Sequence, residues 1–104
     1  MLLYNVTITI DTDAAEDWLQ WMQATHIPDV MVTGMFRSYR MSRLLSHEHE
    51  GAEIFTMQYL AESQAKLDEY QTRFAPELQR HVRERYEGKF AAFRTVMEVL
   101  SMSE

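Results

Sequence analysis

Residues 18–40 read WLQWMQATHIPDVMVTGMFRSYR, and how this stretch divides decides the fold. Trp18, Trp21, Met22 and Thr25 recur at spacings of three and four, the period of one helix face. Pro28 disfavours helical geometry at Ile27, so the pattern predicts an exit from the helix at His26-Ile27-Pro28. Residues 29–35 leave room for a further turn before Gly34 releases the chain. Residues 36–45 carry a weak period of two, with Tyr39 and Met41 on one face and Ser38, Arg40 and Ser42 on the other. The stretch is a helix that feeds a strand.

Upstream, residues 2–10 alternate cleanly. Tyr4, Val6, Ile8 and Ile10 are apolar between Asn5, Thr7 and Thr9, which predicts a half-buried strand. Asp13 and Glu16 have the spacing of a capping box at the head of a helix over residues 14–25. Downstream, the polar run SHEHEG at 46–51 predicts a hairpin connection. It leads to a third strand over residues 52–60, where Phe55, Met57 and Tyr59 oppose Ile54, Thr56 and Gln58. Ser63 is an N-cap for a second helical region with Leu67, Tyr70, Phe74, Leu78, Val82 and Tyr86 on its apolar stripe. Pro76 should interrupt that region or begin a new helix, and Gly88 has the position of a C-terminal cap. Residues 90–100, FAAFRTVMEVL, read most simply as a last strand, though their length and alanines leave a helix open.

The order β-α-β-β-α-β is that of the ferredoxin-like arrangement. It predicts an α+β fold of four antiparallel strands with both helices on one face of the sheet. The usual topology of that arrangement sets the first and third strands centrally, flanked by the fourth and second. At 104 residues the chain is expected to form one domain over 1–104, long enough to bury a single core.

Composition removes several function classes. A formal net charge of -6 argues against binding the phosphate backbone of nucleic acid and makes anionic membrane surfaces poor partners. The absence of cysteine excludes disulfides, thiol catalysis and thiolate metal sites. No window approaches the ~20 apolar residues of a membrane span, and the apolar N-terminus lacks a basic region and a cleavage site, so a cytoplasmic location is expected. His47-Glu48-His49-Glu50 alternates potential ligands, but two histidines in a loop do not make a metal site. With Gly34, Gly51 and Gly88 as its glycines the chain has no phosphate loop, and no cofactor is expected.

Candidate residues follow from the alternation. If Tyr4, Val6, Ile8 and Ile10 face the helices, the uncovered face carries Asn5 and Gln58, with Arg40 from the second strand. Arg94, Val96 and Glu98 join them if Phe93, Thr95, Met97 and Val99 point inward. Asn5, Gln58, Arg94 and Arg40 are therefore the candidate ligand-binding set. Arg94 would grip a carboxylate or enolate through its guanidinium fork, or pair with Glu98. The uncovered face is mixed, polar groups among Ile54, Leu60, Val96 and Leu100, which suits a homodimer closing on a small-molecule pocket between two sheets. His26, at a helix end, and Tyr39 are the candidates for proton transfer, against a plain helix-capping role for His26. Arg37, Arg40 and Arg43 read first as protection of an edge strand. Trp18, Trp21, Met22, Tyr70 and Phe74 read as packing.

Beyond these residue readings, YNVTITID at 4–11, HIPDV at 26–30, the G-M-F-x-S-Y-R run at 34–40, Q-Y-x-A-E-S at 58–63 and KFAAFRT at 89–95 together resemble an uncharacterised bacterial domain-of-unknown-function family. The resemblance covers nearly the whole chain. It implies a small ferredoxin-like protein forming a dimeric α+β barrel, a class that includes cofactor-independent monooxygenases, small isomerases, haem-degrading enzymes and ligand-binding regulators. It implies no reaction. His26-Ile27-Pro28 followed by Gly34-Met35-Phe36 is similar to a short pattern of the monooxygenase-type domains. Three functions stay open: a dimeric binder of a small molecule, a cofactor-independent monooxygenase-like or isomerase-like enzyme, and an interaction module with no ligand.

Overall fold

A computed structural model describes residues 1–46 and 50–103. The elements in order are β1 (Leu2–Asp11), α1 (Thr12–Trp21), a π-helical turn (Met22–His26), α2 (Ile27–Met31), β2 (Ser38–Arg43), β3 (Ala52–Ala61), α3 (Gln64–Glu69), a second π-helical turn (Tyr70–Phe74), α4 (Ala75–Arg85) and β4 (Phe90–Glu98). The four strands are antiparallel in the order β2-β3-β1-β4, with both helical segments on one face. This is the ferredoxin-like α+β fold that the element order predicts. Among the described residues no helix is long and apolar enough to cross a membrane.

The helix does not leave at His26-Ile27-Pro28. It continues to Met31, and the reason lies in the spacing of its buried residues. Trp18, Met22, Ile27 and Val30 are all buried, so the step from Met22 to Ile27 is five residues. On a regular α-helix five residues rotate a side chain about 140° off the starting face. Here the Ile27 N–H bonds back to the Met22 carbonyl, the i→i+5 pattern of a π-turn, which brings both onto the core. The wider turn also makes room for Pro28, whose ring would collide with the carbonyl four residues back in a regular helix.

The second helical region repeats the device. Tyr70 and Ala75 are both buried and five apart, and the Ala75 N–H bonds to the Tyr70 carbonyl. Pro76 follows at the start of α4, as Pro28 does at the start of α2. Each half of the fold therefore carries a π-turn ending two residues before its proline.

Ends of elements follow local chemistry, with one departure. Ser63 caps α3, its hydroxyl accepting from the Lys66 N–H at 3.2 Å. The capping box at Asp13 and Glu16 does not form, because α1 already begins at Thr12 and Asp13 sits inside its first turn. Gly88, at φ 75°, lies in the turn that the Lys89 N–H closes on the Tyr86 carbonyl at 2.9 Å.

The core lies between helices and sheet. Trp18 is 0% exposed and its ring centroid is 5.0 Å from that of Phe55. Tyr4, Phe36, Tyr59 and Tyr70 form a second aromatic cluster, with Phe36 and Tyr70 edge-on at 4.8 Å. α1 is tied to the end of α4 by the Tyr86 hydroxyl, which donates to Asp17 at 2.7 Å, and by Arg85 stacked over Trp21.

Candidate functional site

The register of the sheet sorts the candidate residues into two groups. One row crosses all four strands: Arg40 opposite Gln58, Gln58 opposite Asn5, Asn5 opposite Thr95. This row lies on the uncovered face, as expected for Asn5, Gln58 and Arg40. Arg94 is not part of it. It pairs with Val6 and so stands on the helix side, and Phe93, Thr95 and Met97 take the uncovered face instead. The expectation for β4 fails because FAAFRTVME places apolar groups on both faces. A one-residue slip of register then changes nothing in the pattern but inverts every side chain.

On the helix side a cavity of about 210 Å³ opens between the sheet and the two helical segments. Each π-turn contributes to its wall, Met22 and His26 from the first and Tyr70 from the second. The sheet contributes Tyr4 and Arg94, and α4 contributes Val82 and Arg83. Thus His26 and Arg94, two residues singled out from sequence for chemistry, meet in one cavity. Tyr39 does not join them. It sits half out of the structure on β2 at the far edge of the sheet, its ring 6.5 Å from Tyr59.

His26 is held between aromatic and charged neighbours. Its ring stacks on Trp21 with centroids 5.5 Å apart. Burial lowers its pKa to about 4, opposed by the Asp29 carboxylate and reinforced by His81 and Arg94. At neutral pH it is therefore an uncharged imidazole, able to donate through one nitrogen and accept through the other. Around it the phenols stay protonated. Burial raises the pKa of Tyr4, partly offset by Arg94 and Gln71, and burial raises Tyr59 and Tyr70 further. The cavity offers neutral hydroxyl donors, a neutral imidazole and a guanidinium, set among Val6, Ile8, Met57 and Phe90.

Sequence reading missed Tyr4, Tyr70 and Arg83 as members of this site. Tyr4 is hidden by its place in an apolar alternation, and Tyr70 by its place on an apolar stripe. The five-residue step from Tyr70 to Ala75 was the available signal, since π-turns recur at functional sites. Arg94 and Glu98 form no ion pair among the described residues. Of the SHEHEG loop, residues 47–49 lie outside the described residues, and among the described residues no group of three His, Asp or Glu side chains could hold a metal ion.

Solved structures share this fold. MhuD, as a variant with two manganese protoporphyrin IX molecules bound per active site, is similar with 16% identity and a TM-score of 0.74, over 100% of this chain and 99% of that one. A dimeric ferredoxin-like protein from an uncultured marine organism is similar with 11% identity and a TM-score of 0.73, over 100% and 99%. An ethyl tert-butyl ether d (EthD) family protein from Bacillus halodurans has 9% identity and a TM-score of 0.67, over 96% and 100%. At these identities the likeness is one of fold. No curated protein sequence matches the chain. One family profile does match, over residues 1–100, and by it this ferredoxin-like chain belongs to DUF4286, a domain of unknown function.

Proposed function

We propose that the chain binds a small organic molecule in the cavity between its helices and its sheet, one ligand per protomer. The observation that carries this reading is convergence. His26, Tyr70, Tyr4 and Arg94 come from two π-turns and two strands far apart in sequence, yet they line one mostly apolar cavity. A few oriented polar groups in an apolar recess are what a ligand site requires. At about 210 Å³ the recess is smaller than the ~300–1,000 Å³ of drug-sized sites, so the ligand is small. This moves the site from the cleft between two sheets to the interior of each protomer.

Binding is favoured over proton abstraction by the state of His26. A base with a pKa near 4 has little driving force to take a proton at neutral pH. The monooxygenase-like or isomerase-like reading needs a bound anion to raise that pKa, and the presence of Arg94 in the same cavity is the observation in its favour. A module without a ligand would account for Tyr4, Tyr70 and His26 through their packing on Phe36 and Trp21, but not for Arg94, which has no carboxylate partner among the described residues.

The uncovered sheet face supports a homodimer. Phe93 is 61% exposed there and Met97 41% exposed, beside the partly buried Leu3, Ile54 and Leu60. At the centre Asn5 is buried and donates to Thr7 and Thr95, while its Oδ1 has no partner. An isologous partner sheet would cover the apolar groups and bring polar side chains to that oxygen.

A thermal-shift screen of metabolites against wild type and Val82→Phe tests the ligand reading. Val82 lines the cavity, and the larger ring would fill it. Cavity ligands should raise Tm in wild type and lose that effect in Val82→Phe. Ligands that stabilise both proteins equally would place binding elsewhere and defeat the proposal.

A further inference from the structure

The chain has eight arginines, and most are neutralised by a carboxylate. Arg37 pairs with Glu62, Arg43 with Glu53, Arg73 with Glu69, Arg80 with Glu77 and Glu84, and Arg85 with Asp17. Among the described residues three carry no such partner: Arg40, Arg83 and Arg94. Arg40 lies on the uncovered sheet face. The other two both line the cavity, Arg94 from the sheet wall and Arg83 from the helix wall. In a chain of net charge -6, carboxylates are plentiful, and yet no Asp or Glu lines this recess.

We infer that the cavity selects an organic anion, a carboxylate on a small apolar body, held between Arg94 and Arg83. The inference rests on the ligand-binding reading above and adds the charge and class of the ligand. Two guanidiniums without an ion-pair partner among the described residues, one on the sheet wall and one on the helix wall of an apolar recess, form a positive spot in an otherwise acidic molecule, which draws in anions and excludes cations. The planar fork of a guanidinium matches a carboxylate, with two parallel N–H donors meeting its two oxygens. Val6, Ile8, Met57 and Phe90 then receive the apolar body, while the Tyr4 and Tyr70 hydroxyls and the neutral His26 offer hydrogen bonds along its edge. Phosphate esters suit the site less well. Among the described residues the backbone turns left-handed only at Gly34, Gly51 and Gly88, and none of these lines the cavity, so it has no nest of backbone N–H groups of that kind for a third anionic oxygen.

Benzoate, its neutral isostere benzamide, and benzyl alcohol are the probes, titrated into the full chain. Calorimetry gives affinity, and the amide resonances of Val6, Ile8 and Val82 report occupancy of the cavity. Benzoate should saturate those resonances, with benzamide weaker by at least roughly tenfold, the ratio expected of charge-assisted hydrogen bonds. Arg94→Gln and Arg83→Gln should each weaken benzoate by roughly tenfold and leave benzamide unchanged, whereas Arg73→Gln should alter neither. Added salt should weaken benzoate alone.

Equal affinity for benzoate and benzamide would overturn the anion inference and leave the cavity as a ligand site. So would benzoate affinity that survives both glutamine variants. If none of the three probes moved the cavity resonances, the anion inference would fall, and the thermal-shift comparison of wild type with Val82→Phe would decide the ligand-binding reading separately.

Discussion

Trp21 stacks on His26, ring centroids 5.5 Å apart and planes 28° from parallel, and the contact shields one face of the imidazole just where the first π-turn ends. With burial lowering its pKa to about 4, His26 makes stability depend on pH in a defined window. Above about pH 6.5 the imidazole is neutral in folded and unfolded chains alike, and stability is full. Between 6.5 and 4 the unfolded chain binds a proton that the folded chain refuses, so stability falls as pH falls. Below 4 the loss is complete. Its ceiling is about 3 kcal/mol, since the ring is only partly buried and local opening lets it protonate early. Urea unfolding at pH 7 and pH 4.5 should show wild type losing more stability than His26→Gln. Equal losses would mean that His26 is not held neutral.

Removing the extra residue of the first π-turn should expose the role of Pro28. Deleting Ala24 puts Ile27 four residues after Met22, which keeps both on the core face of a regular helix. It also drives the Pro28 ring into the preceding carbonyl, at a cost of about 3 kcal/mol. Adding Pro28→Ala to the deletion should recover most of that loss. Denaturation midpoints of the two variants decide it. A deletion that is harmless with Pro28 in place would show that the turn does not accommodate the proline.

Trp18 is the largest fully buried side chain, packed on Phe55 at 5.0 Å. Trp18→Ala should cost about 3–5 kcal/mol through lost contacts and a residual cavity. Trp18→Phe should cost clearly less. It keeps an aromatic face on Phe55 and removes the indole N–H, which is buried without an acceptor among the described residues. Chemical denaturation followed by circular dichroism measures both. Equal losses would show that the ring's bulk beyond a phenyl, and not its burial as such, holds this part of the core.

The dimer proposal turns on Phe93. Wild type should have twice the chain mass in solution, and Phe93→Glu should reduce it to one chain while leaving the helical signal intact. Light scattering after gel filtration reads the mass. A wild-type monomer, or a Phe93→Glu dimer, would remove the sheet face as the interface.

How much of this was legible in advance varies by element. The alternation of Tyr4, Val6, Ile8 and Ile10 predicts both the strand and its buried face, because one side of it is purely apolar. β4 defeats the same reasoning. Ala91, Phe93 and Met97 alternate with Phe90, Ala92 and Val96, so neither face is marked, and pairing with β1 alone decides that Arg94 stands opposite Val6. Pro28 predicts a helix end by local geometry, but burial of Ile27 and Val30 holds the helix together through a π-turn instead.

The sequence by itself determined the order of elements, the α+β class, and the identity of Arg94 and His26 as residues with chemistry to offer. Those follow from local periodicity and side-chain type, which act over a few residues. Only the tertiary structure decided that the two meet. Strand register is a long-range pairing, and a π-turn forms where packing outweighs local helical preference. Both depend on contacts between segments distant in the chain. Together they bring His26 and Arg94 into the recess beneath the helices and leave Asn5, Gln58 and Arg40 on the uncovered face of the sheet.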